Sequence, residues 1–393
     1  MTVEWLTGDA LEQVRALPDD SVDLVATSPP FLALRNYNDL VGQWGSEATP
    51  AAFLDNLLDL VEALAPKLAG HGSIAFELGD KFNVGDYVEP PTKSLTGVPT
   101  LFAWSLAYGR NLLNPERTIE PWRIRNVIVW ARANPPVGAL GDKYRPATSY
   151  ITVATKSGKR WFDLDAVRTP VQHPGQRLPA KMNRVDGKYG GDRIPLPAYD
   201  ASQSAGAPPL DHCNDTENLT WHINTHGSSL AHYAMWPPTL AERLILSMCP
   251  AEVCTVCGEP RRRITGPPEY VPSASYRGGS SSAMNDGARV AEKANQYTHN
   301  GQANASVIRS APTLGWSDCG HDDYRPGHVL DPFAGTGTTL AVADIHGRNA
   351  TGIDLDPHNP DLYEARYQEC WRALKPDAGP SPVTPHGEQL TMI

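Results

Sequence analysis

Asp331-Pro332-Phe333-Ala334-Gly335-Thr336-Gly337 follows the apolar run Val329-Leu330 and opens a helical stretch from Thr338 to His346. A Gly-rich turn between a strand and a helix leaves free backbone N–H groups at the helix N-terminus, where they face a ligand. The third glycine of a dinucleotide fingerprint would fall at Leu340 and is absent. The next strand, Ala350 to Ile353, ends at Asp354, where a carboxylate can accept both hydroxyls of a ribose. A nucleoside without a pyrophosphate therefore fits this loop better than a dinucleotide. A lone Gly-Thr-Gly is a weak signal; the strand, the helix and Asp354 around it make it a strong one.

A second loop stands near the other end of the chain. Val22 to Thr27 is a near-continuous apolar run, as expected of a strand buried on both faces, and it runs into Ser28-Pro29-Pro30-Phe31. Two prolines stiffen this turn and fix its carbonyl directions. A hydroxyl and a carbonyl are acceptors suited to a flat, amide-like amine, and Phe31 is a stacking surface.

Between these loops, helical and strand patterns alternate. Val3–Leu6 reads as a strand ending at Gly8-Asp9, and Leu11–Leu17 as a helix. Ala51–Leu68 is helical, with Phe53, Leu54, Leu57, Leu58, Val61, Leu64 and Leu68 at helical spacing, and Gly72 closes it before a strand at Ser73–Leu78. Thr100–Leu112 reads as a helix, Asn126–Trp130 and Tyr150–Ala154 as strands, and Pro237–Met248 and Pro360–Leu374 as helices. This alternation predicts an α/β fold with a mostly parallel sheet and helices on both faces. Ligands in such sheets sit at the carboxyl ends of strands. Gly8-Asp9, Ser28–Phe31, Gly79-Asp80, Asp331–Gly337 and Asp354 all follow strands and are expected to line one crevice. For Asp9, capping of the following helix is an equally good reading.

Regularity fails from about Ser157 to Ser229, and again from Thr265 to Leu314, where Gly, Ser, Ala and Asn dominate and flexibility is expected. Just before the second stretch, Cys254-Thr255-Val256-Cys257-Gly258 has the form of a zinc knuckle, and Cys319-Gly320-His321 follows it. Cys254, Cys257, Cys319 and His321 make a Cys3His set of the kind that holds structural zinc. Unligated thiols are the alternative. A redox pair lacks its expected βαβ setting, and Cys213, Cys249 and Cys370 read as ordinary thiols.

The chain's 393 residues exceed one average domain of about 150. No run of about 18 apolar residues exists, so no membrane span is expected. Met1-Thr2-Val3-Glu4-Trp5 lacks the basic start of a secretory signal, and a cytoplasmic protein is expected. A net charge of −10 argues against non-specific coating of nucleic acid but allows a basic cleft on an acidic body. Arg177, Lys181, Arg184, Lys188 and Arg193 space positive charge along the first irregular region, as phosphate contact would require.

The two loops, in this order, resemble those of the amino-methylating DNA methyltransferases of the circularly permuted beta class. Asp331 to Thr339 is similar to that family's cofactor motif nearly letter for letter, and Gly352-Ile353-Asp354 to its ribose-binding motif. Trp236-Pro237-Pro238 resembles the preceding motif, with Trp where the family usually has Phe. Further likeness covers Asn126–Pro135 and Lys156–Val167. The resemblance implies a Rossmann-like S-adenosylmethionine-dependent fold, permuted, with an irregular recognition insert and a zinc-knuckle insert. It implies that Ser28, Pro29, Pro30 and Phe31 act on a base flipped out of double-stranded DNA. It implies cofactor contacts from Asp9, Trp236, Asp331, Pro332, Phe333, Gly335, Gly337, Thr338 and Asp354.

The expected organisation is a catalytic half at 1–156 and a target-recognition region at 157–235. A core helix at 236–250, a zinc-bearing insert at 251–325, a cofactor half at 326–375 and a disordered tail at 376–393 follow. In the family, Ser at the first motif position usually accompanies cytosine N4 methylation, and Asp there usually accompanies adenine N6 methylation. Ser28 therefore favours cytosine, with adenine as the alternative. A cytosine C5 enzyme would need a Pro-Cys nucleophile, and no Cys follows a Pro here. Protein-glutamine and RNA methyltransferases usually carry Asn-Pro-Pro-Tyr in the unpermuted order. A non-catalytic zinc-bearing DNA-binding module is a further alternative, disfavoured by two intact motifs. A cognate restriction endonuclease is a partner the resemblance allows.

Overall fold

Every residue of Val22–Thr27 is buried, which requires cover on both faces of the strand. The computed structural model supplies it. It describes residues 1–33, 42–132, 134–135, 141–167, 220–225, 235–266, 269–272, 307–310 and 313–378. Arg177, Lys181, Arg184, Lys188, Arg193, Cys213 and the tail from 379 lie outside the described residues.

The chain opens with β1 (Val3–Thr7), α1 (Ala10–Ala16), β2 (Val22–Thr27), α2 (Pro50–Lys67), β3 (Leu68–Leu78) and α3 (Val98–Tyr108). It continues with β4 (Arg110–Asn111), β5 (Asn114–Thr118), β6 (Arg123–Ala131), β7 (Thr148–Thr155) and β8 (Thr220–His222). Then come α4 (Pro238–Met248), β9 (Glu252–Cys254), β10 (Arg263–Thr265), β11 (Glu269–Pro272), β12 (Val307–Ser310) and β13 (Thr313–Trp316). The last elements are β14 (Tyr324–Pro326), β15 (His328–Asp331), α5 (Thr338–Ile345), β16 (Asn349–Asp354) and α6 (Tyr363–Leu374).

The chain divides into two compact units, one of Met1–Arg168, Leu219–Arg262 and Asp318–Ile393, the other of Thr169–Asn218 and Arg263–Ser317. In the first, an eight-stranded sheet runs β1-β16-β15-β2-β3-β7-β6-β8. β7 is antiparallel to both its neighbours and every other pairing is parallel, so β7 alone runs against the rest. Side-chain alternation divides the core into two layers. Phe76, Leu78 and Ala154 face α2 and α3 in one layer, while Ala75, Ile151 and Val153 join the layer of α4, α5 and α6. The mostly parallel α/β sheet expected from the sequence is present. In the second unit, β10 pairs with β13 and β11 with β12, both antiparallel, so part of the stretch expected to be flexible is ladder.

Several boundaries differ from the sequence reading. β3 starts at Leu68, directly after α2, and Gly72 lies inside it. α3 starts at Val98 and stops at Tyr108, because Gly109 adopts a left-handed conformation (φ 66°) and β4 and β5 follow. The segment Ser157–Val167, expected in the recognition region, packs into the first unit. Trp161 is buried there, its Nε1 donates to the Arg261 carbonyl at 2.9 Å, and the Asp163 N–H donates to the Ser247 carbonyl at 2.9 Å. Thr220–His222, from the same region, is the edge strand β8. Among the described residues no helix is long and apolar enough to cross a membrane.

Candidate active site

Ser28 leaves the end of β2 beside Glu77, near the end of the neighbouring β3. The Ser28 hydroxyl donates to Glu77 Oε2 at 2.6 Å. Glu77 is fully buried, and that burial raises its carboxyl above the usual range. The Ser149 and Ser28 hydroxyls and the charge of Arg132 offset part of the rise. Phe31 is seated by two glycines. A Cβ at Gly79 would stand 2.5 Å from the Phe31 ring, and one at Gly45 would stand 2.7 Å from the Phe31 carbonyl oxygen. The sequence pairs Gly79 with Asp80 as crevice residues. The Asp80 carboxylate, however, accepts from Thr96 Oγ1 at 2.6 Å and from the Gly97 N–H, fixing the entry to α3.

The Gly-rich loop follows the adjacent strand, since β15 pairs with β2. The Asp331 carboxylate turns into the sheet. Its Oδ1 accepts from Thr27 Oγ1 at 2.6 Å and from the Phe333 N–H at 3.1 Å, and its Oδ2 accepts from Thr339 Oγ1 at 2.6 Å. Asp331 therefore shapes the loop from within. Burial pushes its carboxyl up to about 6, against the three donors. Pro332 is buried, and Phe333 packs edge-on against Trp44, with ring centroids 5.0 Å apart.

Gly335 and Gly337 are both left-handed, with φ 53° and 81°. Gly337 caps α5 and leaves no room for a side chain: a Cβ would lie 2.8 Å from Trp5 and 2.9 Å from Tyr363. Thr338 Oγ1 accepts from Arg366 Nε at 2.9 Å, and Thr336 Oγ1 donates to Met235 Sδ at 2.9 Å.

Asp354 ends β16 beside this loop. Its Oδ2 accepts from the Gly335 N–H at 2.7 Å, and its Oδ1 from the Asp356 N–H at 2.9 Å and Asn359 Nδ2 at 2.8 Å. Three of about four acceptor positions are thus used within the protein, and one is left open. The Gly8 N–H donates to the Asp354 carbonyl at 2.9 Å, which brings Asp9 to the same strand ends. Asp9 Oδ1 accepts from the Glu12 N–H at 3.0 Å, the helix-cap role. Trp236 is buried in the core layer of α4–α6, and its carbonyl accepts from the buried Arg366 at 3.2 Å.

Sequence reasoning missed Glu77, Thr27, Arg366 and Asn359. Glu77 had a signal, a lone charge inside a strand otherwise buried on both faces. Arg366 had none, because an arginine on an amphipathic helix reads as surface.

Beyond α4, the ligand atoms of Cys254, Cys257, Cys319 and His321 all lie within 4.8 Å of one another. His321 Nδ1 stands 3.5 Å from Cys254 Sγ and 3.4 Å from Cys319 Sγ. β9 pairs with β14, so Cys254 sits opposite Tyr324. The Tyr324 hydroxyl and contacts from His321 hold the Cys319 thiol down to about 6. Gly258 and Gly320, both left-handed, make the two turns.

A DNA methylase family model, that of the N6 and N4 methyltransferases, matches residues 22–252 and 325–364. The type II methyltransferase M.SmaI of Serratia marcescens is 24% identical over 263 residues, covering 62% of this chain and 74% of that one. M.Cfr9I of Citrobacter freundii is 26% identical over 306 residues, covering 69% and 85%. Among solved structures, the cytosine-N4-specific PvuII DNA methyltransferase superposes with a TM-score of 0.50 at 13% identity, covering 95% of this chain and 93% of that one.

Proposed function

The chain belongs to the DNA methylase family of N6 and N4 methyltransferases, and we propose that it methylates the exocyclic N4 amine of cytosine in double-stranded DNA, as a type II enzyme. The observation that carries this reading is the 2.6 Å bond from Ser28 to Glu77. The amine of a base is a poor nucleophile because its lone pair is delocalised into the ring. With its own proton given to Glu77, Ser28 Oγ turns its lone pairs toward the amine and accepts an N–H, as does the Pro29 carbonyl. These two acceptors draw the nitrogen toward a tetrahedral form. The proton the amine sheds passes to Ser28 Oγ as Ser28 gives its own to Glu77. Phe31, fixed over Gly79, supplies a ring for the flipped base to stack on.

S-adenosylmethionine supplies, when bound, an electrophilic methyl on a sulfonium. The residues fit such a group. Gly337 keeps a cradle that a Cβ would fill, the start of α5 offers N–H donors, and Asp354 retains an acceptor position. Gly335, Thr338, Pro332, Phe333, Asp9 and Trp236 form the walls and supports of that site. Holding base and cofactor on adjacent strands provides the alignment that in-line transfer needs.

Cys254, Cys257, Cys319 and His321 hold a structural zinc in this reading. Tetrahedral bonds of about 2.3 Å to sulfur and 2.0–2.1 Å to nitrogen give S–N edges of about 3.5 Å, and the observed 3.4 and 3.5 Å agree. Four protein ligands leave no open position, so the ion holds the fold and does no chemistry. The region within 157–235 beyond the described residues is assigned to DNA recognition, and a cognate restriction endonuclease to the same system.

Mass spectrometry of nucleosides from unmethylated DNA incubated with protein and S-adenosylmethionine tests the reading. N4-methylcytosine is expected. N6-methyladenine would keep the fold and overturn the target.

A further inference from the structure

Three buried polar atoms on the Glu77 side of the sheet make no hydrogen bond of normal length, Glu77 Oε1, Ser149 Oγ and Arg132 Nε, although the Ser149 hydroxyl lies near enough to the Glu77 carboxyl to offset part of its rise. They come from three adjacent strands and share one face. Glu77 stands in register with Ile151, so Ser149, two positions along β7, is on the same side. Ser149 stands in register with Trp130, and the Arg132 N–H donates to the Ala147 carbonyl at 2.8 Å, which carries the ladder past the end of β6. Arg132 thus follows Trp130 on that side, with its guanidinium over the Trp130 ring at 4.9 Å. Burial lowers the Arg132 guanidinium below its usual range, and the Glu77 charge offsets part of that fall.

Unpaired buried donors and acceptors are costly to keep, and proteins retain few of them. A row of them along the sheet, starting at the catalytic serine, points to a polar, flat ligand. From β2 to β6 is three strand spacings, about 14 Å in all at roughly 4.8 Å each.

The chemistry of the two candidate bases then differs. Next to its amine, cytosine carries N3 and then O2, two acceptors in the ring plane. Adenine carries N1 and then a C–H. A guanidinium presents two parallel donors in one plane and matches the cytosine edge as it matches a carboxylate. We propose that Arg132 reads the N3–O2 edge of the flipped base, and that this contact selects cytosine over adenine. The inference rests on Ser28 and Pro29 being the seat of the amine.

The test compares wild type with Arg132→Met and Arg132→Lys. Unmethylated genomic DNA is the substrate, nucleoside mass spectrometry the readout, and S-adenosylmethionine affinity and thermal melting the controls. Arg132→Met is expected to bind the cofactor as wild type does, to lose roughly 10- to 100-fold in N4-methylcytosine formation, and to raise the N6-methyladenine share. Arg132→Lys keeps the charge beside Glu77 but not the planar fork; it is expected to fold and still lose the base preference. A folded Arg132→Lys protein with wild-type rate and product ratio would overturn the inference, as would losses that merely track cofactor affinity. Wild type yielding only N6-methyladenine, or no methylated base, would overturn the underlying assignment of Ser28 instead.

Discussion

Thr27 Oγ1 donates to Asp331 Oδ1 across 2.6 Å, joining the residue before Ser28 to the first residue of the Gly-rich loop. The bond links β2 to β15 at the point where both strands end. A single buried carboxylate therefore sets the spacing of the two loops. Thr27→Val removes one of three donors to that carboxylate and keeps the side chain's shape. It is expected to lower stability by about 1–3 kcal/mol and to weaken turnover more than cofactor affinity. Urea unfolding and separate kcat and cofactor Kd measurements check this; unchanged kcat in a destabilised protein would show that the bond has no part in alignment.

The same carboxyl gives stability a pH dependence. Asp331 is pushed up to about 6 from 3.8, so the folded chain holds this proton more tightly than the unfolded one. Its contribution is fully present below about pH 4 and is lost as pH rises through about 6. Asp23 works in the opposite sense. Arg325 bonds it at 2.6 and 3.1 Å and His71 at 2.9 Å, its carboxyl is held below 3.8, and that contribution is lost only as pH falls further. Asp331→Asn should therefore flatten the stability curve between pH 4 and 6 relative to wild type, and leave the more acid limb alone. Denaturant midpoints across that range measure the difference.

In the proposed mechanism the Glu77 carboxylate takes the Ser28 proton, and burial raises that carboxyl. Activity should rise as pH passes upward through that raised value. Glu77→Gln keeps an oxygen for the Ser28 bond but cannot take the proton. It should cost about 10²-fold in kcat, in the range for general acid–base groups, and erase that acid limb. Ser28→Ala should cost at least as much with cofactor affinity intact. A Glu77→Gln enzyme with the wild-type pH–rate profile would remove Glu77 from the proton path.

What the sequence disclosed follows from physical range. Both loops were readable because each is a short local device: prolines that fix carbonyls after β2, and glycines that open α5. The alternation of periods gave the α/β class. Elements defined by distant partners were not readable. β8 is three residues long and is a strand only because β6 offers it an edge. Arg366 looks like helix surface until Thr338, Trp236 and Glu369 surround it. Asp354 was legible as an acceptor, but the use of most of its lone pairs by Gly335, Asp356 and Asn359 depends on how the loop folds back. Gly109 shortened α3 through its left-handed φ, which the apolar period alone does not reveal.

Gly337→Ala joins local and distant constraints in one substitution. The position needs φ 81°, which costs a non-glycine residue about 1–2 kcal/mol. The added methyl would also meet Trp5 at 2.8 Å and Tyr363 at 2.9 Å, two buried rings that cannot swing aside easily. The variant should melt lower and bind S-adenosylmethionine at least 10-fold more weakly, since the start of α5 must shift.

Metal removal should separate fold from chemistry. Cys254 is buried and Cys257 and Cys319 are exposed, so a chelator reaches the cluster from one side. β9 and β14 are paired between the ligands, and Arg325 on β14 holds the buried Asp23 of β2. Loss of the ion should therefore loosen β14 and leave Asp23, on the strand that leads into Ser28, with a weaker partner. Purified protein is expected to carry one zinc per chain by elemental analysis. Chelation, or Cys254→Ser, should lower the melting temperature by several degrees while kcat at low temperature falls little. Protein that carries no zinc, with a melting temperature indifferent to both chelator and Cys254→Ser, would show that the cluster is four thiol and imidazole groups with no ion to hold. A kcat lost in step with zinc, at a temperature where the fold persists, would instead assign the metal a part in the reaction.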